Sequence, residues 1–458
     1  MGILHKLRKS AFWFVDTLNG GKIRKHFDEI KWVLENPESD MSKKIKSQNL
    51  YNVLEHSATT VPYYSNISHD SLSLHDFPII DKQTVRDNFE LFRSQTYINA
   101  YAHEVTTSGS TGKPFKILHD KNKRKRNTAD TCFFAEKAGY ELGSRLFYLR
   151  LWDKQYQKKK MLAKIQNIAA YSVDDLTEEN LAMMVSEMEN YGSSVNIIAY
   201  SSALDTVCKY IEEHLGRPLN CKVDSIISIA EGLSLDLKGR TRKYLGEDPV
   251  SRYSNSENGI FAQQKTNSDT GNFEINWASY HIELLDFNED KPVRLGEKGR
   301  IVITDFFNYS MPLIRYDTGD VGVMEKDSVT GSLVFTKIEG RKMDMFTNTK
   351  GEYVSSHIIH HILQYSGIDQ FQFIEDEKGE YTIKLKVTPS YDHKDEKNII
   401  EQYKGYFGQD AIVNVEYVDN ISLLPSGKRK LVINNYKPSE NKLNEKPNVP
   451  SKCSDALI

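Results

Sequence analysis

Thr106-Thr107-Ser108-Gly109-Ser110-Thr111-Gly112-Lys113-Pro114 gathers hydroxyls, glycines and a lysine into one stretch without a large apolar side chain. Such a stretch suits a phosphate cradle: glycine lets backbone N–H groups converge on one anion, hydroxyls add donors, and lysine adds charge. It is not a Walker loop, which needs four residues before its Gly-Lys pair and a Ser or Thr after it to hold magnesium. Here only Ser110 and Thr111 intervene after Gly109, and Pro114 follows the lysine. The stretch reads as a different kind of phosphate loop.

Five further clusters follow in order: Ile229-Ala230-Glu231-Gly232-Leu233, Tyr253-Ser254-Asn255-Ser256-Glu257, Arg315-Tyr316-Asp317-Thr318-Gly319-Asp320, Glu339-Gly340-Arg341-Lys342-Met343-Asp344-Met345, and Leu424-Pro425-Ser426-Gly427-Lys428. The succession resembles the adenylate-forming superfamily of acyl-CoA synthetases, luciferases and peptide-synthetase adenylation domains. Within it the chain is most similar to the phenylacetate-CoA ligase branch, including relatives encoded with capsule and O-antigen genes. The resemblance spans roughly residues 50 to 437, and the order of the motifs is more specific than any one of them.

With 458 residues the chain has room for several domains, and its net charge of −3 offers no field directed at nucleic acid. Cys132, Cys208, Cys221 and Cys453 form no Cys-x-x-Cys pair, which points to a reducing, cytoplasmic setting and away from structural zinc. Lys6, Arg8, Lys9 and the apolar run Ala11 to Val15 imitate a signal peptide, but Asp16 and Asn19 interrupt the run. Leu4, Leu7, Ala11, Phe14 and Leu18 share one helical stripe. That stripe is expected to dock on the protein's own surface, with weak peripheral membrane contact through residues 1–18 as the alternative.

The expected fold is α/β, with a large N-terminal domain of parallel-rich sheets covered by helices and a small, mobile α/β C-terminal domain. Residues 1–100 read as a helical part of the large domain, with a helical pattern at Ile45 to His56 broken by Val61-Pro62. Residues 101–340 alternate helical patterns with strand-like runs such as Val195–Tyr200, Asp224–Ala230 and Arg300–Asp305, and form the nucleotide- and substrate-binding core. A hinge at 341–344 leads to a C-terminal domain over 345–437. There Ser355 or Ser356 is expected to cap a helix through Ile358, Ile359, Ile362 and Leu363, followed by strands at Gln370–Ile374, Tyr381–Thr388 and Val413–Val418. Residues 438–458 have the composition of a disordered tail.

The resemblance implies ATP and Mg2+ as cofactors, with CoA as a further candidate. Thr107, Ser108, Gly109, Ser110, Thr111, Gly112 and Lys113 would grip phosphates; Lys116 is the other lysine candidate, since Phe115 stands where relatives often carry a basic residue. Ala230, Glu231 and Gly232 would pack against adenine, and Tyr253 would stack on it, flanked by Ser254, Asn255 and Ser256. Glu257 would coordinate magnesium, which favours carboxylate and phosphate oxygens. Asp320 would accept from the ribose hydroxyls, with Arg341 as a second ribose or phosphate contact. Lys428, with Arg429 and Lys430 beside it, would deliver the catalytic charge to the carboxylate and α-phosphate. Met343 and Asp344 would be the pivot, Met343 standing where relatives have Asp or Lys. Ser254 replaces a customary glycine, and Tyr200 and Ser201 are candidates for the substrate pocket.

The reaction implied is ATP-dependent, AMP-forming activation of a carboxylic acid, then transfer to CoA, an amino compound or a sugar amine. The alternatives are a CoA ligase of the phenylacetate type and a nucleotide-binding relative without catalysis. His357 and His361 have the i, i+4 spacing of zinc ligands but lack the accompanying glutamate and third ligand. Lys121 to Arg126 and Lys158 to Lys160 read as solvated helix faces, not as a nucleic-acid surface.

Overall fold

The computed structural model describes residues 2–68, 72–107, 115–152, 160–173, 175–266, 270–287, 289–328, 330–341, 346–351, 353–354, 358–359, 361–362, 365–422 and 430–436. The phosphate loop from Ser108 to Pro114, the hinge from Lys342 to Met345, the Lys428 loop, His357, His360 and the tail from 438 lie outside this set. Described residues through Arg341 form one compact unit, and those of 346–421 with 430–436 form a second.

The first unit opens with helices α1 (Gly2–Leu18), α2 (Lys22–Glu35), α3 (Asp40–Thr60) and α4 (Lys82–Asp87). Ser39 starts α3 by accepting from the Ser42 amide at 3.2 Å, and Val61-Pro62 ends it, as the chain before a proline leaves the helical region. A hairpin of β1 (His103–Thr107) and β2 (Phe115–His119) follows, with Thr107 paired to Phe115. Asp120 then caps α5 (Lys121–Lys137), accepting from the amides of Asn122 and Lys123 at 2.6 and 2.9 Å.

From here strands and helices alternate: β3 (Arg145–Arg150), α6 (Lys160–Ile165), β4 (Ile168–Ser172), α7 (Glu178–Asn190), β5 (Val195–Tyr200), α8 (Ser201–Tyr210), β6 (Val223–Ile229), α9 (Leu235–Leu245) and β7 (Pro249–Asn255). Strands β4, β3, β5, β6 and β7 lie in that order and pair in parallel. Every residue of β5 is buried, as a strand covered on both faces requires. One face packs Ile197, Ala199 and Ile226 against α7, α8 and α9, and the other packs Ile198, Ile227 and Val250 against the end of α5.

The same sheet continues through β8 (Gly259–Gln264), β9 (Phe273–Ile275), β10 (Tyr280–Leu285), β11 (Lys298–Asp305), β12 (Tyr316–Lys326) and β13 (Leu333–Arg341), all paired antiparallel. Parallel pairing is therefore confined to the half with intervening helices, because only a crossover returns a strand in the same direction. Segment Ile80 to Lys82 is strapped to this half: the Ile80 amide donates to the Arg315 carbonyl at 3.1 Å and the Asp317 amide to the Ile80 carbonyl at 2.7 Å.

The second unit holds β14 (Phe346–Thr347), β15 (Tyr353–Val354), β16 (Ile368–Glu377), β17 (Glu380–Val387), α10 (Asp395–Phe407), β18 (Ile412–Tyr417) and β19 (Val432–Asn434). Its main sheet runs β18-β17-β16-β19, with α10 laid on it through Ile399, Tyr403 and Phe407 and the Phe407 ring stacked 3.8 Å from that of Tyr381. The three expected strands are present, whereas α10 has no counterpart in the sequence reading. Instead of the helix expected at Ile358 to Leu363, residues 358–359 and 361–362 adopt tighter 3₁₀ geometry. Ser355, Ser356 and Leu363 lie outside the described residues.

Two expectations about charge and exposure are corrected. Lys123 and Arg126 are wholly buried, not solvated. Lys123 Nζ is 2.5 Å from Asp305 Oδ2, and Arg126 bonds Glu29 at 2.8 Å, Ser279 Oγ at 2.8 Å and the Ala278 carbonyl at 2.7 Å. In α1, the stripe Leu4, Leu7, Ala11, Phe14 and Leu18 faces outward. The helix docks through Phe12 and Trp13, whose ring meets Phe27 edge-on at 5.5 Å. Among the described residues no helix is long and apolar enough to cross a membrane.

Candidate active site

In open α/β sheets ligands gather at the carboxyl ends of parallel strands. Strands β5, β6 and β7 are neighbours, and their ends bring together Tyr200-Ser201, Ala230-Glu231-Gly232 and Tyr253 to Glu257. Ala230 has φ 69, a left-handed conformation that a Cβ disfavours, and Arg315 has φ 50; the third described non-glycine at positive φ is Asn167. Two of the three thus fall within motifs, as expected where function requires a strained backbone. The turn at Ala230 lets Glu231 reach α8: its Oε2 accepts from the Ser202 amide at 2.8 Å, its carbonyl from Ser201 Oγ at 3.3 Å, and Ser201 Oγ is 2.6 Å from Ser228 Oγ. The adenine-side segment and the pocket candidates are thereby clamped together.

Tyr253 is half-buried, and its hydroxyl donates to Asp320 Oδ2 at 2.7 Å. Burial, then the Asp320 charge, holds the phenol well above its ordinary pKa, so it stays a donor. The Asp320 loop is organised by its own side chains. The Gly319 amide donates to Asp317 Oδ1 at 2.9 Å and the Asp320 amide to Thr318 Oγ1 at 3.1 Å, with Gly319 at φ 78 making the turn. Asp320 pairs with Arg341 across β12 and β13. Arg315 acts as a strut, donating two bonds of 3.0 Å to Glu283.

Glu257 is buried, and its Oε1 lies 2.9 Å from Lys82 Nζ, which also sits 4.8 Å above the Phe115 ring. The turn that presents it is held from beneath: His119 Nε2 donates to the Glu257 carbonyl at 2.6 Å, and the Tyr280 hydroxyl to the Asn258 carbonyl at 2.6 Å. Asn255 Oδ1 accepts from the Asn258 amide at 2.8 Å, while Ser256 is exposed at the apex. Burial, then Lys123, lowers the His119 pKa to about 4, which keeps its ring neutral with one N–H to donate. Magnesium takes one or two carboxylates and draws its other oxygens from phosphate and water, so at Glu257 it would have to share the carboxylate with Lys82 or displace it. Among the described residues no group of three or more His, Cys, Asp or Glu forms a metal cage.

Lys82 and His119 are the site residues that sequence reasoning missed. Both lie over a hundred positions from Glu257 and carry no motif of their own. Asp205, on α8 beyond the pocket candidates, is paired with Arg240 and, at 3.4 Å, with Lys209. His361 bonds the Tyr406 hydroxyl at 2.6 Å, and Lys430 offers its carbonyl to Gln372 at 2.7 Å.

The CapK C-terminal domain family matches residues 346–435. Protein CapK of Staphylococcus aureus is 21% identical over 436 residues, covering 90% of this chain and 93% of the relative. The 2-hydroxyisobutyryl-CoA ligase structure in the postadenylation state, in complex with an acyl-AMP, superposes with a TM-score of 0.67 at 16% identity, covering 87% of this chain and 90% of that one. The chain shares the fold of this ligase structure. ATP-bound MatB from Rhodopseudomonas palustris is a more distant member of the same fold, with a TM-score of 0.51 at 14% identity over 71% of this chain and 66% of that one.

Proposed function

We propose that this protein is an adenylate-forming ligase, which activates a carboxylic acid with Mg-ATP as an acyl-adenylate and transfers the acyl group to an amine or sugar acceptor in surface-polysaccharide synthesis. The observation that carries the chemistry is the joining of Tyr253 to Asp320 beside the buried Glu257, on loops that follow the superfamily's motif order. In this reading Asp320 accepts from the ribose, Ala230 to Gly232 border the base, and Glu257 holds Mg2+ against the phosphates. The Ser108–Lys113 loop grips the β- and γ-phosphates, and Lys428 meets the two anions that must be joined. The magnesium supplies charge neutralisation, and the residues supply in-line positioning.

The similarity to CapK, a relative associated with capsule biosynthesis, supports the surface-polysaccharide setting of this reading. A CoA acceptor is the second reading, favoured by the near full-length likeness to 2-hydroxyisobutyryl-CoA ligase. Pyrophosphate release with a panel of carboxylic acids tests the first half-reaction. Lys428→Ala is expected to lower it about 100- to 1000-fold, and release without Lys428 at the parental rate would remove that residue from catalysis. Offering CoA or amino sugars to the preformed adenylate decides the acceptor. ATP binding without turnover of any acid would favour a non-catalytic nucleotide-binding relative.

The outward stripe of α1, with Lys6 exposed beside it, supports peripheral contact with an acidic lipid surface from a cytoplasmic location. Co-flotation with phosphatidylserine vesicles is expected to fall when Leu7 and Phe14 become serine. Equal flotation of parent and variant would end that proposal.

A further inference from the structure

Four basic side chains of the described residues are buried to nine-tenths or more: Lys123, Arg126, Arg252 and Arg315. Three have their countercharge within the fold, in Asp305, Glu29 and Glu283. Arg252 has none. It is 9% exposed, its Nε donates to Gln263 Oε1 at 2.8 Å, and its second terminal nitrogen is buried without a hydrogen-bond partner. Gln263 is spent as an anchor, since its amide donates to the Phe134 carbonyl at 2.7 Å. Burial without an acid lowers the Arg252 pKa to about 10. Leaving a buried cation without a nearby acid is unfavourable, and an anionic ligand group would offset that cost.

The register shows where Arg252 points. It pairs with Ile229, and Ile229 with Tyr200, so all three side chains stand on one face of the sheet. Tyr148 pairs with Ile198, two residues before Tyr200, and joins the same face. Arg150 donates to the Tyr148 hydroxyl at 3.4 Å. The carboxyl ends of β3, β5 and β7 therefore concentrate guanidinium and phenol groups beside the turn of Ala230 and one residue before Tyr253. A guanidinium fork and phenolic hydroxyls are the complement of a carboxylate.

We propose that the acid activated here carries a second carboxylate, and that Arg252 receives it while the first is adenylated. This rests on the adenylation reading above and specifies its substrate as a dicarboxylic acid. Arg252 takes no part in bond making: the reacting carboxylate still displaces pyrophosphate from ATP.

The test compares dicarboxylic acids of increasing length with their monomethyl esters, which keep size and remove one charge. Pyrophosphate release by the parent is expected to favour a diacid over its ester about 100-fold in kcat/KM, as for loss of one partner from a buried charge pair. Arg252→Gln is expected to erase that ratio. A purely structural arginine would instead lower both substrates equally and raise the KM for ATP. A parent that does not discriminate, or a variant with the parental ratio, overturns the proposal. Should the glutamine variant not fold, Arg252→Lys reads the same ratio: it keeps charge without the fork, and an undiminished preference would equally overturn it. If no acid releases pyrophosphate, the adenylation reading fails separately. Thermal stabilisation by diacids over esters, lost in the variant, then still supports Arg252 as a carboxylate site, and its absence removes that site.

Discussion

At the scale of single residues, the turn at Glu257 is held by His119, whose ring burial keeps neutral. Its pKa falls from about 6.5 unfolded to about 4 folded, so protons bind the unfolded chain more readily. The stability owed to neutral His119 is complete above pH 6.5 and is lost as pH falls toward 4, a change on the order of 3 kcal/mol. His26 is lowered to about 4 as well, by burial first and then by Arg126, and acts in the same window. Denaturant unfolding of His119→Gln is therefore expected to show a shallower acid limb than the parent, retaining the share of His26. An acid limb as steep as the parent's would show that His119 does not titrate with folding. The motif residues were legible because glycines, hydroxyls and charges at fixed spacing leave a local imprint. Lys82, His119 and Arg252 were not, because each acquires its role from a partner distant in sequence or from burial.

At the scale of elements, α5 shows how far charge patterning misleads. Lys121 to Arg126 looks like a solvated face, yet Lys123 and Arg126 turn inward because Asp305, Glu29 and Asp130 wait there. Asp130 accepts from Asn276 at 2.9 Å and Ser279 at 2.8 Å, and burial raises its pKa. Since Lys123 also lies 3.3 Å from the Tyr280 hydroxyl, this cluster underpins the carbonyl contact that sets the Glu257 turn. Lys123→Met is expected to cost about 3–5 kcal/mol by stranding Asp305, and Lys123→Met/Asp305→Asn to recover much of it. Chemical denaturation decides the matter, and a double variant no more stable than the single one would mean the pair is not coupled. In α1 the period of the apolar stripe was correct and its destination was not, because periodicity defines a face but names no partner.

For the whole molecule, the described residues divide into two compact units, one running through Arg341 and the other starting at Phe346, and the sequence reading places a pivot between them at Met343 and Asp344. Adenylation and acyl transfer make different demands on one site, which rotation of the smaller unit would satisfy. Met343→Pro fixes φ and restricts the preceding residue, so it is expected to impair one half-reaction more than the other. Pyrophosphate exchange reports the first and product from preformed acyl-AMP the second; equal losses with an intact circular dichroism spectrum would leave rotation without support. The sequence by itself determined the motif order and the alternation of strand and helix from Arg145 to Asn255, because these are written in local spacing, periodicity and turn chemistry. Only the tertiary structure decided that Lys82 would meet Glu257, that Lys123 and Arg126 would be buried, and that Arg252 would have no acid beside it among the described residues. Burial and charge pairing depend on contacts between distant segments, and a long charged side chain is equally compatible with water or with a buried partner until the fold chooses between them.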